Sequence, residues 1–406
     1  MSWEMVRLGD CCTKIGSGAT PKGGATVYIK DGVSLIRSQN VYNLFFEYDG
    51  LTHITDDAAE KLNGVTIIPN DILLNITGDS VARVCMVPMD VLPARVNQHV
   101  AIIRTEKHVL PQYLLFYLAS PYMQAYMLNL AVGKGASRNA LTKGMIEDFP
   151  IPLPSIEEQQ KVVNTLSPYN NLIANNQEQI KLLEEAAQRL YKEWFVDLRF
   201  PGHENTPIVD GVPEGWLSST VSDFGDIITG KTPSTSNSGY YGGKIPFVKI
   251  PDMHNTVYPI TTEVLLTKEG ADTQKNKYIP RNSLMVSCIA TVGLVNIAVQ
   301  ECQTNQQINS IILHNETDLY FLYFTLKQMT ALLDGVGSNG ATMTNVNKTK
   351  FGKIAVVCPT EEVRKDFFDW CAPVFQKIEA LSYNIAYLKE ARDTLLPKLM
   401  SGEIEV

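Results

Sequence analysis

Residues 155–201 read SIEEQQKVVNTLSPYNNLIANNQEQIKLLEEAAQRLYKEWFVDLRFP, and residues 360–406 read TEEVRKDFFDWCAPVFQKIEALSYNIAYLKEARDTLLPKLMSGEIEV. The two stretches align at a constant offset of 205 residues, so that residues 183–186 (LEEA) match residues 388–391 (LKEA). Apolar residues recur in both at spacings of three and four, which predicts two long amphipathic helices. Each stretch begins with Ser or Thr followed by paired glutamates, a signal of a helix N-terminus.

The apolar positions of both helices form a stripe that continues for nearly four heptads, as in a coiled coil. Because the two stripes share one register, we expect the helices to pair with each other, and Asn176 is a polar exception of the kind that fixes register. Pro168 and Pro373 hold matching places, where we expect both helices to break or restart. The predicted helix-pairing residues are Ile173, Asn176, Ile180, Leu183, Leu190, Ile378, Leu381, Ile385, Leu388 and Leu395.

The repeat extends upstream of the helices with a drifting offset. Asn97-Gln98 matches Asn305-Gln306 at an offset of 208, and Ile68-Pro69 matches Ile279-Pro280 at 211. A drifting offset means that small loop insertions separate two copies of one unit. A chain of two similar halves is suited to a target that has two sites.

Each helix follows a strand-rich domain. Apolar runs at residues 33–36, 72–74 and 100–103 are bounded by Gly, Pro, Asn and Asp, which predicts strands. The helical spacing of residues 111–127 predicts one helix, and the proline-rich residues 149–154 must be extended.

The predicted organisation has five parts: a first domain at 1–154, a central helical region at 155–200, a linker at 201–215, a second domain at 216–359 and a C-terminal helical region at 360–406. The linker is rich in Pro and Gly, which mark chain turns. The expected fold class is therefore α+β, a tandem repeat of two strand-rich domains, each followed by a long helix, with the two helices pairing as an antiparallel coiled coil.

The composition, with 45% hydrophobic and 19% charged residues in 406, is typical of a soluble chain of several domains. No apolar run reaches the length of a membrane span, and the N-terminus lacks the apolar stretch of a signal peptide, so we expect no membrane partner. The seven cysteines include no C-x-x-C pair, which predicts no metal site and fits the reducing cytoplasm. A net charge of −8 argues against indiscriminate DNA binding but leaves selective binding by a local basic face open.

Residues 225–232 (GDIITGKT) satisfy G-x-x-x-x-G-K-[ST], the phosphate-binding pattern of nucleotide hydrolases. That chemistry needs a helix directly after the loop, but the residues that follow, 233–239 (PSTSNSG), cannot open a stable helix. We interpret the match as chance, and the sequence holds no other catalytic motif. A P-loop nucleotide hydrolase remains the enzymatic alternative, and a coiled-coil scaffold without DNA specificity is the other.

Polar loop residues recur in both copies. Arg, Lys, Asn and Gln can bridge two groups on a base edge, while Ser, Thr and glycine amides suit phosphates. Any one of them can be an ordinary turn residue, and Asn97-Gln98 and Asn305-Gln306 can equally be structural groups at a strand start, so the interpretation rests on the clusters. The candidate DNA-binding residues are Thr20, Lys22, Arg37, Ser38, Gln39, Asn40, Lys134, Ser137, Arg138 and Asn139 in the first copy, and Lys231, Thr232, Lys249, His254, Asn255, Asn339, Thr342, Lys348 and Lys350 in the second.

The chain resembles the specificity subunits of type I restriction–modification systems. The resemblance is carried by residues 152–161 (PLPSIEEQQK), by residues 395–404 (LLPKLMSGEI), by the two Asn-Gln motifs and by the tandem plan. It extends over essentially all 406 residues. The second copy departs from the pattern, because residues 357–362 (VCPTEE) lack the proline-rich and Gln-Gln elements.

The resemblance implies a non-catalytic subunit with two target-recognition domains, each reading one half of a bipartite double-stranded DNA site, with the paired helices setting the gap. About 28 helical residues would span roughly 42 Å, against ~34 Å for one DNA turn. It also implies two methyltransferase subunits that bind S-adenosylmethionine, and restriction/translocase subunits that use Mg-ATP, so no cofactor is expected in this chain. The departure in the second copy implies unequal contacts with the two methyltransferase subunits.

Overall fold

The computed structural model describes residues 3–132, 139–289, 291–329, 346–401 and 403–404. The chain forms two compact units, unit 1 from Met1–Ala174 with Tyr387–Val406 and unit 2 from Asn175–Ala386. The two longest helices each contribute residues to both units. Among the described helices, none combines the length and the apolar character needed to cross a membrane.

Unit 1 is built around two four-stranded sheets. Its strands are β1 Met5–Arg7, β2 Cys12–Ser17, β3 Tyr28–Ile29, β4 Val33–Ile36, β5 Val41–Tyr42, β6 Phe45–Phe46, β7 Thr52–Ile54, β8 Ile72–Asn75, β9 Val84–Met86, β10 Ala94–Val96, β11 Val100–Thr105 and β12 Pro150–Pro152. One sheet is antiparallel in the order β2-β11-β8-β9, and the other has the order β10-β4-β7-β3 with β10 parallel to β4. The predicted strands at 33–36, 72–74 and 100–103 are confirmed as β4, β8 and β11. Every residue of these three runs is buried, which explains why all of them except Ser34 are apolar.

The helices that begin in unit 1 are α1 Asp56–Glu60, α2 Pro111–Ala119, α3 Pro121–Ala131, α4 Lys143–Glu147 and α5 Ile156–Tyr191. The single helix predicted over residues 111–127 is wrong. Ser120 is extended, with φ −64° and ψ 148°, because Pro121 disfavours a helical residue before it. The Ser120 hydroxyl then caps α3 by accepting from the Met123 amide. The extended prediction for residues 149–154 is confirmed by β12, which pairs with β1.

Unit 2 has a four-stranded antiparallel sheet of the same order, and its mixed sheet has three strands where that of unit 1 has four. Its strands are β13 Ile208–Val209, β14 Val212–Pro213, β15 Leu217–Thr220, β16 Gly225–Thr229, β17 Tyr241–Val248, β18 Val264–Leu266, β19 Leu284–Ser287, β20 Val295–Ile297, β21 Gln303–Thr304, β22 Ile308–Leu313 and β23 Ala355–Cys358. The antiparallel sheet is β16-β22-β19-β20, and the mixed sheet is β18-β17-β21 with β21 parallel to β17. β15 pairs with β23 as β1 pairs with β12.

The helices after α5 are α6 Ile250–Met253, α7 Lys268–Asp272, α8 Leu319–Gln328, α9 Lys348–Gly352 and α10 Glu361–Met400. At its C-terminal end α5 passes into a π-helical turn, Lys192–Val196. Phe195 in this turn packs edge-on against Phe367 of α10, with ring centroids 5.0 Å apart. The end of α5 is therefore part of the aromatic core of unit 2.

The predicted linker at 201–215 lies within unit 2 and is folded. β13 and β14 form a hairpin whose turn residues, Asp210 (φ 51°) and Gly211 (φ 81°), both have the positive φ of a type I′ turn. Phe200 and Trp216, at the two ends of this segment, are buried against each other with ring centroids 5.1 Å apart. The segment thus begins and ends at one aromatic contact.

Both long helices run unbroken through their central proline, so the predicted breaks at Pro168 and Pro373 are wrong. An internal proline removes one backbone hydrogen bond and costs about 3 kcal/mol. Pro168 is exposed, so water can reach the carbonyl that lacks its partner, while Leu166 and Ile173 on either side are buried. Burial of the flanking apolar residues outweighs the lost bond.

Within each unit α5 and α10 contact each other. In unit 1, Leu166 of α5 shares a core with Leu396 of α10, and the Arg392 guanidinium donates to Asn170 Oδ1 over 2.9 Å. In unit 2, Tyr191 lies against Phe367 with ring centroids 6.2 Å apart. Of the predicted helix-pairing residues, Ile173, Asn176, Ile378 and Leu381 are buried, and Ile180, Leu183, Leu190, Ile385, Leu388 and Leu395 are half-buried.

Candidate nucleic-acid interface

A glycine directly follows the first strand of the antiparallel sheet in each unit, Gly18 after β2 and Gly230 after β16. A Cβ atom at Gly18 would lie 1.9 Å from the carbonyl oxygen of Val96, and one at Gly230 would lie 2.2 Å from that of Asn305. No side chain fits at such distances, so both positions require glycine for close approach of two backbone segments. The same packing occurs in unit 1 and in unit 2.

This packing accounts for Gly230 of the nucleotide-binding pattern at residues 225–232, and Gly225 is required for a separate close approach to the Ile312 carbonyl oxygen. Gly225–Thr229 form β16, which pairs antiparallel with β22, so these residues are a strand and not a phosphate-binding loop. The Lys231 amide donates to the Thr304 carbonyl over 2.9 Å. The next regular element is a single 3-10 turn at Ser238–Tyr240. Residues 225–240 therefore lack the strand–loop–helix context that nucleotide binding needs.

Two residues after each glycine, a threonine is hydrogen-bonded to a glutamine. The Thr20 hydroxyl donates to Gln98 Oε1, and the Thr232 hydroxyl donates to Gln306 Oε1 over 2.7 Å. Both glutamines are exposed. We name each of these pairs a Thr–Gln clamp; it joins chain segments separated by 78 residues in unit 1 and 74 in unit 2.

The asparagine before each clamp glutamine is structural. Asn97 Oδ1 accepts from the His99 amide and Asn305 Oδ1 accepts from the Gln307 amide, both over 3.1 Å. Both asparagines are buried. Beyond them the two units differ, because the His99 ring bonds the Thr77 hydroxyl through Nδ1 over 2.6 Å, whereas Gln307 Oε1 accepts from Asn305 Nδ2 over 2.8 Å.

A second polar turn follows β4 in unit 1 and β17 in unit 2. In unit 1 the Arg37 amide donates to Asn40 Oδ1 over 3.0 Å, and Asn40 Nδ2 donates to the Glu47 carbonyl over 2.9 Å. Asn40 is fully buried, so its side chain holds the turn, and burial argues against the DNA contact predicted for it. The equivalent bond in unit 2 joins the Lys249 amide to Asp252 Oδ2 over 2.8 Å.

The cationic side chains of these two turns have protein partners. The half-buried Arg37 donates through Nη2 to the Gly50 carbonyl over 2.8 Å. Lys249 Nζ lies 2.6 Å from Glu263 Oε2, and this hydrogen bond lowers the pKa of the Glu263 carboxyl. Since Glu263 is then ionised at neutral pH, it offsets the charge of Lys249 and weakens the attraction of that lysine to a phosphate.

The other candidate residues are placed as follows. Thr20, Lys22, Gln39, Asn139, Lys231, His254, Asn255 and Lys348 are exposed, and Ser38, Thr232 and Lys350 are half-buried. The residues Lys134, Ser137, Arg138, Asn339 and Thr342 lie outside the described part of the chain. Asn347 caps α9 by accepting from the Lys350 amide, which sets Lys348 in the first turn of that helix.

Sequence reasoning did not assign Gln98 and Gln306 to the site, although the match between the two Asn-Gln motifs was the signal. It also missed Gln274, a buried residue whose Nε2 donates to the Lys231 carbonyl over 2.6 Å and to Gln303 Oε1 over 2.8 Å. No repeat or motif marks Gln274. Its role depends on contacts that are distant in sequence.

Cys288 contacts this surface in unit 2 through its backbone, and its thiol is not reactive. The Cys288 amide donates to the Gln307 carbonyl over 2.8 Å, and the residue is buried. Burial raises the pKa of the Cys288 thiol to about 11, so the thiol is protonated at neutral pH and is not a nucleophile. What the surface offers is hydrogen-bond donors and acceptors of the kind that contact nucleic acid.

Both units match one protein family. Residues 1–185 and 213–380 fit the model of the type I restriction modification DNA specificity domain. The chain belongs to this family. Each matched segment of this specificity-domain chain contains one Thr–Gln clamp.

Among curated proteins, the specificity-domain chain is 34% identical to the HindI specificity subunit of Haemophilus influenzae, over 73% of this chain and 78% of that protein. It is 24% identical to the MjaIX specificity subunit of Methanocaldococcus jannaschii, over 100% of this chain and 94% of that protein. Among solved structures, the type I restriction-modification S subunit from M. genitalium gives a TM-score of 0.54 at 14% identity, covering 98% of this chain and 96% of that one. The structural similarity is one of fold.

Proposed function

We propose that this chain is the DNA sequence-recognition subunit of a type I restriction–modification complex. The observation that carries the proposal is one polar surface, built on a required glycine and a Thr–Gln clamp, that recurs in two units matched by one DNA specificity family. Its side chains are of the types that contact bases and phosphates. The chain itself is non-catalytic, as the specificity subunits of this family are.

Each unit reads one half of a bipartite double-stranded DNA site. Both surfaces have a Thr–Gln clamp, but the residues next to it differ. Unit 1 has His99 where unit 2 has Gln307, and unit 1 has Arg37 where unit 2 has Lys249. Different side chains present different donors and acceptors to a base edge. The two half-sites therefore have different sequences.

The two long helices pair as an antiparallel coiled coil between tandem recognition domains, and this pair sets the gap between the half-sites. Two contacts support the pairing direction. An early residue of α5, Asn170, bonds a late residue of α10, Arg392, while a late residue of α5, Tyr191, packs on an early residue of α10, Phe367. Asn176 is the polar register-fixing residue within the pair.

Catalysis resides in partners: two methyltransferase subunits that bind S-adenosylmethionine, and restriction/translocase subunits that use Mg-ATP, in the cytoplasm. The contacts with the two methyltransferase subunits are unequal in this proposal, because the second copy lacks the proline-rich and Gln-Gln elements. Gln159 itself does not support the inequality, because it is fully buried and bonds the Leu110 amide and the carbonyls of His108 and Pro154, whereas Gln160 is exposed.

The test is to assemble the chain with its methyltransferase subunits, expose plasmid DNA to the complex with S-adenosylmethionine, and map the methylated adenines by sequencing. We expect one bipartite motif with a fixed gap. Methylation spread over unrelated sequences, or equal binding of all duplexes, would favour the scaffold alternative. ATP binding by the isolated chain that is lost in Lys231→Ala would favour the nucleotide hydrolase.

A further inference from the structure

The two Thr–Gln clamps share the backbone hydrogen bond that precedes the threonine and the buried proline that follows it. The residue before each threonine is tied to the end of a neighbouring strand, Ala19 N to the Val96 carbonyl over 3.1 Å and Lys231 N to the Thr304 carbonyl over 2.9 Å. The residue after each threonine is a buried proline, which fixes φ. Each hydroxyl is therefore held in place to orient its glutamine.

The hydroxyl bond determines which end of the glutamine amide faces outward. Because Oε1 accepts from the threonine, Nε2 is left as the outward group, and it carries two N–H donors. Gln306 Nε2 donates to no other described residue, and Gln98 Nε2 lies 3.1 Å from His99 Nε2, which leaves one of its N–H groups. An exposed glutamine ordinarily samples many rotamers, so a clamped one is a preorganised donor.

A lysine accompanies each clamp. Lys22 lies two residues after Thr20, and Lys231 directly precedes Thr232; both lysines are exposed. A fixed neutral donor with a cation within two residues of the clamp threonine along the chain is suited to an anionic oxygen, since hydrogen bonds to charged groups are the stronger ones. The clamp and its lysine thus fit a phosphate group.

The clamps could either read bases or contact the phosphate backbone, and comparing the two units distinguishes these roles. If the units read different half-sites, the Thr–Gln bond that both share is not what makes the two half-sites differ. The phosphate backbone is the part of DNA that does not vary with sequence, and contacts to it position a protein without specifying sequence. The side chains that can specify are those that differ, His99 against Gln307 and Arg37 against Lys249.

We propose that Gln98 and Gln306, held by Thr20 and Thr232, donate through Nε2 to DNA phosphate oxygens and position each unit on its half-site without reading bases. This inference rests on the function proposed above. It assigns the shared part of the surface to positioning and leaves base reading to the side chains beside it.

The experiment uses the assembled complex. Duplexes that it binds are selected from a random pool to give a consensus, and affinity is then measured for a selected and an unselected duplex. Gln98→Glu and Gln306→Glu keep an oxygen that accepts from the threonine but place a carboxylate where the amide donates. Gln300→Glu, an exposed glutamine of unit 2 outside the surface, is the control with the same charge change.

We expect each clamp variant to weaken binding of both duplexes by the same factor, on the order of tenfold, with an unchanged consensus, and Gln300→Glu to change neither. A glutamine is neutral, so its contact with a phosphate releases no counterion. Gln306→Met should therefore lower the affinity but leave the salt dependence of binding as in the wild type. Lys22→Ala and Lys231→Ala should lower the salt slope by about one. Thr232→Val, which removes the hydroxyl, should weaken binding as the glutamine variants do. Thr232→Ser, which keeps it, should bind like the wild type.

Two results would overturn the inference. A consensus altered at one half-site would mean that the clamp reads bases, and unchanged affinity in a variant of wild-type thermal stability would mean that the clamp is purely internal. Failure of the proposed function looks different, because the wild-type complex would then yield no consensus at all, and the clamp inference would fall with it.

Discussion

Arg364 and Asp318 form an ion pair in which both side chains are largely buried, exposed by 14% and 6%. At the position equivalent to Arg364, unit 1 has a neutral residue, Gln159. Gln159 of α5 donates to the carbonyl of Pro154, and Arg364 of α10 donates to the carbonyl of Pro359, five residues back in each case. The two units thus fix the start of a long helix against a neighbouring helix with different chemistry.

Replacing Arg364 with glutamine should destabilise unit 2 strongly. The substitution leaves the Asp318 carboxylate buried without its counter-ion, and breaking a buried pair on one side costs about 3–5 kcal/mol. Denaturant unfolding of the full chain measures the loss. The double variant Arg364→Gln with Asp318→Asn should recover most of it, since it restores the neutral arrangement of unit 1; an Arg364→Gln chain as stable as the wild type would contradict the assignment.

The same carboxyl should give unit 2 a defined pH dependence. Burial raises the pKa of Asp318, and Arg364 offsets this only in part. The folded chain therefore keeps this proton to a higher pH than the unfolded chain, so the contribution to stability is fully present below about pH 4, the ordinary aspartate value, and is lost as the pH rises through the raised pKa. As the pH rises through this range, the unfolding free energy of the wild type should fall relative to that of Asp318→Asn. A difference between the two that does not change with pH would contradict the prediction.

Gly18→Ala should disrupt the polar surface of unit 1. The added Cβ would meet the Val96 carbonyl oxygen at 1.9 Å, so the backbone that carries Thr20 must move. Gly16→Ala is the matched control in the preceding strand, because its Cβ meets nothing within 4 Å. We expect the Gly18 variant alone to lose thermal stability and DNA affinity, while equal behaviour of the two variants would show that the close approach is dispensable.

A double-mutant cycle on Asn170 and Arg392 tests the antiparallel pairing of the helices. Their hydrogen bond of 2.9 Å should give a coupling of about 0.5–1.5 kcal/mol in unfolding free energy. Asn170→Ala, Arg392→Ala and the double variant provide the measurement. Strictly additive effects would mean that the two residues do not interact in solution.

Arg37→Ala should affect only the first half-site. The guanidinium is half-buried against the Gly50 carbonyl and differs from its counterpart Lys249, as expected of a residue that specifies a sequence. Methylation mapping with the assembled complex should show a relaxed or changed first half and an unchanged second half. Lower methylation with both halves intact would instead make Arg37 a phosphate contact or a structural residue.

The predictable part of the fold follows from local patterns. The runs at 33–36, 72–74 and 100–103 are strands because they are short, apolar and bounded by turn residues, and the long helices follow from their heptad spacing. The wrong helix predictions concern prolines, because the effect of a proline on a helix depends on its tertiary surroundings. Pro121 splits a predicted helix because Ser120 can cap the second half, whereas Pro168 is tolerated because buried residues flank it on both sides.

The candidate surface was predictable only as a set of residue types. The clamp bond joins Thr20 to Gln98 across 78 residues of sequence, and no local pattern encodes such a contact. The burial of Asn40 and the pairing of Lys249 with Glu263 likewise depend on neighbours supplied by the fold. Only the internal repeat indicated the clamp, because both copies contain its threonine and its glutamine.

The contact between Phe200 and Trp216 has a consequence for how the chain can be cut. A protease that nicks the exposed Asp210–Gly211 turn opens a segment whose two ends are held together by that contact. On the N-terminal side of the nick, Phe195 packs on Phe367, which belongs to the C-terminal fragment. The two fragments should therefore migrate as one species under native conditions and separate only in denaturant.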